Sequence, residues 1–144
     1  MADTHEPLRG ARILLTDDNA LNRKIIRLML TPLGCAITEA ANGQEALDHL
    51  HAQDFDLVLL DAHMPVMDGV EAIRRIRMTH EHWRTLPVIA LTADAMAGDR
   101  EKYLAMGMSE YLSKPVDKQA LIATMSELLV PGSTVALAPA LTGT

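Results

Sequence analysis

Aromatic side chains are scarce in this 144-residue chain, which has one Trp, two Tyr and one Phe. That supply offers no stacking platform for single-stranded nucleic acid, and it suits helices packed on an aliphatic sheet better than a β-sandwich. The only cysteine, Cys35, sits among apolar residues, which excludes an internal disulfide and fits a reducing cytosol. No apolar run approaches membrane-spanning length, and the N-terminal MADTHEPLRG lacks a signal-peptide apolar region. The expectation is therefore no membrane insertion by this segment and a cytoplasmic location. Positive charge is also short: 13 Lys and Arg stand against 19 Asp and Glu, a formal net charge of -6. Phosphate contacts need clustered Lys and Arg, so direct nucleic-acid binding is not expected. The same balance is compatible with carboxylates gathered around a cation. Several chemical motifs are absent as well: GxxxxGK[ST], GxGxxG after the first strand, HExxH and GxSxG. His49 with His51, and His80 with His82, are two apart, a spacing that points them away from each other on a helix and reads as solvated surface.

What is present is a regular alternation, in a chain long enough for one domain with a real core. Short aliphatic runs predict strands at Arg12–Thr16, Cys35–Ala40, Asp56–Leu60, Pro87–Leu91 and Glu110–Ser113. Between them, helical spacing predicts helices from Ala20 to about Leu33, over Gln44–Leu50, Asp68–Met78 and Ala95–Met106, and finally over Asp117–Leu129. Asn19 is the expected N-cap of the first helix, its apolar positions are Leu21, Ile25, Leu28 and Met29, and Gly34 is its stop. Alternating strands and helices imply βαβ units and a parallel sheet covered on both faces, an α/β doubly wound fold. Runs such as ILL, VLL and VIAL lack polar alternation, as doubly buried strands should. Residues 1–8 and the uncharged tail 131–144, rich in Pro, Gly, Ala, Ser and Thr, read as flexible ends flanking one domain over 9–130. Three methionines, Met96, Met106 and Met108, read mostly as core filler.

In such a sheet, ligands bind outside the carboxyl ends of the strands. Asp17 and Asp18 follow the first strand, Asp61 ends the third, Thr92 follows the fourth and Lys114 the fifth. Three carboxylates held together repel one another, and a hard divalent cation such as Mg²⁺ (or Mn²⁺) relieves this with oxygen ligands. Asp18 and Asp61 are candidates for direct ligands, with Asp17 close by or bridging through water; the backbone carbonyl of His63 is a candidate further oxygen. Taken singly, Asp17-Asp18-Asn19 is equally well explained by helix capping, Lys114 by a solvated loop and Thr92 by an N-cap. Together they describe a nucleophile: a carboxylate can attack phosphorus if a metal, a cation and a hydroxyl donor share the charge.

The acidic pair in LLTDDNALNR, the block VLLDAHMPVMDG, VIALTADA and YLSKPVD resemble, in this order, the receiver domain of two-component response regulators, over about Arg9 to Val130. The resemblance implies a flavodoxin-like sheet in the order 2-1-3-4-5 and a phosphoryl group passed from a partner phosphohistidine to Asp61 with Mg²⁺ present. It assigns the metal to Asp17, Asp18 and Asp61, makes Thr92 the switch hydroxyl and Lys114 the cation on the phosphoryl group. It makes Tyr111 an aromatic rotamer switch; on its own residues Tyr111 is a half-buried strand aromatic. His63 and Asp94 fall where the family tunes the lifetime of the phosphoryl group. The partner implied is a histidine kinase or a histidine phosphotransfer domain. The similarity is greatest to receivers of hybrid histidine kinases and phosphorelays, so the chain is expected to be part of a larger cytoplasmic kinase, with a stand-alone regulator as the alternative. An aspartyl-nucleophile phosphatase is disfavoured, because such enzymes place a second Asp two residues past the first, where His63 stands. Thr16 replaces an aliphatic residue usual in the family, and no functional loss is expected from it.

Overall fold

Aliphatic runs become strands where buried surface on both sides rewards them. The structure, a computed structural model, describes residues 8–62, 69–93 and 99–129. Its strands are β1 (Arg12–Thr16), β2 (Ala36–Ala40), β3 (Leu57–Asp61), β4 (Val88–Thr92) and β5 (Glu110–Ser113), all parallel in the order β2-β1-β3-β4-β5. The helices are α1 (Ala20–Leu30), α2 (Gly43–Ala52), α3 (Gly69–Thr79), α4 (Asp99–Met106) and α5 (Lys118–Leu129). Side chains alternate between two cores. Leu14, Val58, Leu60, Val88 and Ala90 pack with Ala46, Leu50, Ile73 and Ile76 of α2 and α3. Ile13, Leu15, Leu57, Leu59, Ile89 and Leu91 pack with Ile26 and Leu30 of α1 and with Leu121 and Met125 of α5. Fully burying each such Leu or Ile contributes about 1.5–3 kcal/mol, so the three central strands anchor the domain.

Three expectations are revised, and one element is new. The first helix does not run to Leu33: it stops at Leu30 and gives way to a 3-10 turn over Thr31–Leu33, closed by Gly34 at φ +92°. Pro32, with no N–H for an α-helical bond, favours that tighter turn. On the same helix the apolar stripe that faces the core is Ile26 and Leu30, while Leu21, Ile25 and Leu28 are exposed. Leu8 is no loose terminus; it is fully buried beside Cys35, whose thiol donates to the Leu8 carbonyl. An unexpected 3-10 turn, Glu81–Trp83, buries Trp83 ahead of β4. Met108 is core and Met106 packs against it, while Met96 lies outside the described residues, as do the tails 1–7 and 130–144.

One cation serves the backbone rather than a carboxylate. Arg77, at the end of α3, donates to the carbonyls of Trp83 (2.7 Å), Leu86 (2.7 Å) and Gly107 (2.9 Å). Burial lowers its pKa to about 10, which still leaves it charged at neutral pH. It thus ties α3 to the approach to β4 and to the end of α4.

Thr16 closes β1 with its hydroxyl buried and without a hydrogen-bond partner, in register with Ala40 and Leu60. A buried unpaired hydroxyl costs about 1–3 kcal/mol. Thr16→Val, similar in shape, is therefore expected to raise the unfolding free energy by about 1 kcal/mol. A urea midpoint that falls would contradict this.

Candidate functional site

The carboxyl ends of β1, β3, β4 and β5 meet at one edge of the sheet. β1 delivers Asp17, whose N–H donates to Ala40 (3.1 Å) and whose Oδ1 accepts the Asn19 N–H (2.8 Å). Asn19 is the N-cap of α1, as its residue type predicts: its side chain accepts from Leu21 (2.8 Å) and Asn22 (3.2 Å). Asp18 lies between them and is exposed, whereas Asp17 is fully buried. Asp61 is the last residue of β3 and only 2% exposed, and Thr92 ends β4 fully buried. Lys114 follows β5, its N–H donating to the Thr92 carbonyl at 2.7 Å. The peptide bond from Lys114 to Pro115 is cis.

The Lys114 ammonium bridges two carboxylates, at 3.0 Å from Asp17 Oδ2 and 3.1 Å from Asp61 Oδ2. Burial pulls its pKa down, but the short contacts and charges of Asp17 and Asp61 outweigh this and hold it above the ordinary lysine value. The contact with Asp17 is an ion pair rather than a well-aligned hydrogen bond, because Asp17 Oδ2 is buried with no hydrogen-bond partner. Asp17, Asp18 and Asp61 each present a carboxylate oxygen within 4.8 Å of the others. Three converging carboxylates, with Asp17 Oδ2 buried and held only by its ion pair to Lys114, fit a hard divalent cation. His63 and Asp94 lie outside the described residues. Tyr111 sits on β5, half-buried, stacked on Tyr103 of α4 with ring centroids 5.7 Å apart.

Two residues not singled out from the sequence also position the site. Arg23 of α1 donates to the Asp17 carbonyl and pairs with Glu39 of β2 at 2.9 Å, which Arg27 also contacts at 2.9 Å. The acidic loop is thereby clamped between helix and sheet. Gly69 opens α3 so close to β3 that a Cβ there would stand 2.4 Å from the Asp61 carbonyl oxygen and 2.8 Å from Ala62 Cα. A glycine at a helix start, where most residues are better helix formers, is the visible signal for such an approach. Gly69→Ala is expected to lower stability by about 1–3 kcal/mol through backbone displacement, despite the helix preference of alanine, and to disturb Asp61. A chemical-denaturation midpoint equal to wild type would refute the close contact.

Comparison with known proteins agrees with this geometry. The response regulator receiver domain family matches residues 13–126, and the chain belongs to that family. Among its relatives is the sensor histidine kinase GacS of Pseudomonas protegens, 38% identical over 115 residues that make up 78% of this chain and 12% of that protein. The chain therefore corresponds to a small part of that kinase. Among solved structures, the receiver domain of sensor histidine kinase PA1611 from Pseudomonas aeruginosa, with magnesium coordinated in its active-site cleft, is 41% identical with a TM-score of 0.76, covering 83% of this chain and 98% of that one. The receiver domain complex of Saccharomyces cerevisiae Ssk1 with the histidine phosphotransfer protein Ypd1 gives 27% identity and a TM-score of 0.80, covering 88% and 93%. The fold and family are those of receiver domains in hybrid histidine kinases and phosphorelays. Among the described residues no helix is long and apolar enough to cross a membrane.

Proposed function

We propose that Asp61 is the phosphoacceptor, taking a phosphoryl group from a phosphohistidine on a histidine phosphotransfer domain or histidine kinase. The supporting observation is the joint position of the nucleophile and its charge partners: Asp61 Oδ2 lies 3.1 Å from Lys114 Nζ and within reach of Asp17 and Asp18. A carboxylate oxygen of Asp61 attacks phosphorus, the phosphorus–nitrogen bond of the donor breaks, and the imidazole leaves with the electron pair. Asp17, Asp18 and Asp61, with the backbone carbonyl of His63, would hold Mg²⁺ or Mn²⁺, which when bound draws charge from the transferring group. Lys114 turns from the carboxylates to the new phosphoryl oxygens. Thr92 offers its hydroxyl to the same oxygens, and Tyr111 repacks against α4 in response, which shifts the population between two arrangements. His63 and Asp94 modulate the lifetime of the acyl phosphate.

The PA1611 receiver with its magnesium supports the choice of cation, and the Ssk1–Ypd1 complex supports the choice of partner. The chain would then serve as the cytoplasmic receiver of a hybrid kinase, as its similarity to GacS suggests. The decisive experiment incubates the chain with a radiolabelled phosphohistidine phosphotransfer domain. Label should move to the chain only with Mg²⁺ and should be lost in alkali or hydroxylamine, as acyl phosphates are. Transfer without a divalent cation, or alkali-stable label, would overturn the reading.

The exposed stripe of α1 supplies a landing surface. Leu21 and Leu28 are 63% and 64% exposed, and Ile25 is 43% exposed. Ile25 also lines a cleft with Asp17, Lys114 and Val116, so the apolar patch runs into the acidic site. Leu28→Asp should slow transfer from the phosphotransfer domain about tenfold. Labelling by acetyl phosphate, which needs no docking surface, should stay at the wild-type rate.

A further inference from the structure

Three imidazoles gather around one tryptophan at the other end of the sheet, where the αβ connections enter the strands. His51 lies in the last turn of α2, and His80 and His82 lie between α3 and β4. Their rings surround Trp83, which is 4% exposed, at centroid distances of 5.0 Å (His51), 4.5 Å (His80) and 5.8 Å (His82). His80 lies 5.4 Å from His51 and 5.5 Å from His82. The three histidines, with Asp54 and Gln53, line an open cavity of about 280 Å³. We propose that His51, His80 and His82 bind one divalent transition-metal ion of the imidazole-preferring class, Zn²⁺ foremost, with Asp54 available as an oxygen ligand.

The spacing carries the argument. At a zinc–nitrogen distance of about 2.0–2.1 Å, two imidazoles on one tetrahedral ion have ring centroids about 5 Å apart, close to the separations of His80 from His51 and from His82. His51 and His82 must draw together to complete the set. As placed, the three rings do not gather their nitrogens, since among the described residues only Asp17, Asp18 and Asp61 bring three such ligand atoms within 4.8 Å of one another. All three imidazoles are exposed, so rotation about their side-chain bonds is the movement the site requires. Imidazole nitrogens favour Zn²⁺, Cu²⁺ and Ni²⁺, whereas the all-oxygen cluster at Asp61 suits Mg²⁺. The two sites therefore differ in ligand chemistry as well as in position. An ion here would tie the end of α2 to the segment between α3 and β4.

Trp83 is the only tryptophan in the chain, which makes it a built-in reporter. With saturating Mg²⁺ present to occupy the carboxylates, Cu²⁺ is titrated against Trp83 fluorescence and Zn²⁺ against heat of binding. Saturable quenching and one equivalent of Zn²⁺ are expected. His80→Gln or His82→Gln should weaken both about tenfold or more, while His5→Gln and His49→Gln should leave them unchanged. A triple variant replacing His51, His80 and His82 by Gln, with an unaltered unfolding midpoint in the absence of metal, should lose both signals. Quenching and Zn²⁺ binding that persist in the triple variant would overturn the site, as would a wild type that binds no Zn²⁺.

Discussion

Asp61→Asn is expected to abolish phosphoryl acceptance entirely while leaving the fold intact. The amide matches the carboxylate in shape but has no anionic oxygen to attack phosphorus. It still accepts from Lys114, which lies 3.1 Å from Asp61 Oδ2 in the native chain. It also removes one of three like charges within 4.8 Å of one another, so unfolding free energy should change by no more than about 1 kcal/mol. Divalent-cation affinity should fall about tenfold or more, since a neutral amide is a poorer ligand for a hard ion. Label transfer and a Mg²⁺ titration, each run on both proteins, check the two halves separately. Label that persists in Asp61→Asn would move the acceptor to Asp17 or Asp18. Lost label with unchanged Mg²⁺ affinity would keep Asp61 as nucleophile but remove it from the metal shell.

The strand ends were legible because the physics there is local. An aliphatic run that stops at Asp61, or at Asp17-Asp18, marks where a buried strand meets a polar edge, and parallel βαβ order brings such edges together. Contacts set by which face a helix buries were less legible. Both Leu21-Ile25-Leu28 and Ile26-Leu30 have helical spacing, and periodicity alone cannot tell the stripe on the core from the stripe in water. Only the packed sheet distinguishes them: Leu30 is fully buried and Leu28 is 64% exposed. His51, His80 and His82 are solvated surface, as their spacing predicts, but the closeness of their rings was not legible for a related reason. Two-residue spacing separates side chains on an α-helix, but His80 and His82 lie on an extended residue and a 3-10 turn, with rings 5.5 Å apart. His51 then joins them from a segment about thirty residues earlier, a distance no local pattern spans. Gly69 and Arg23 belong to the same class, since their reasons are the carbonyls of Asp61 and Asp17, which only the folded chain brings near.

Lys114→Met should make the stability of the domain depend on Mg²⁺. Asp17 is fully buried and Asp61 is 2% exposed, and Lys114 is the cation that bridges them at 3.0 and 3.1 Å. Without it, two buried carboxylates and neighbouring Asp18 lose the cation that offsets their mutual repulsion. Removing one partner of a buried ion pair costs about 3–5 kcal/mol; Lys114 is partly open to water, so a loss of about 2–3 kcal/mol is expected in the absence of metal. In the wild type an incoming Mg²⁺ must displace the ammonium, whereas in Lys114→Met it meets carboxylates with no competing cation. The variant should therefore bind Mg²⁺ more tightly and gain more thermal stability from it than the wild type does. The sign with pH follows from the raised pKa of Lys114. Its contribution is fully present below the lysine value of the unfolded chain, about 10.4, and is lost as pH rises through the higher folded value. In metal-free buffer the wild type should thus converge on the variant only in strongly alkaline solution. Thermal unfolding of both proteins with and without Mg²⁺ gives the answer. A metal-free variant as stable as the wild type would mean that Lys114 does not offset the charge of the cluster, and that the three carboxylates are already kept apart by the backbone that presents them.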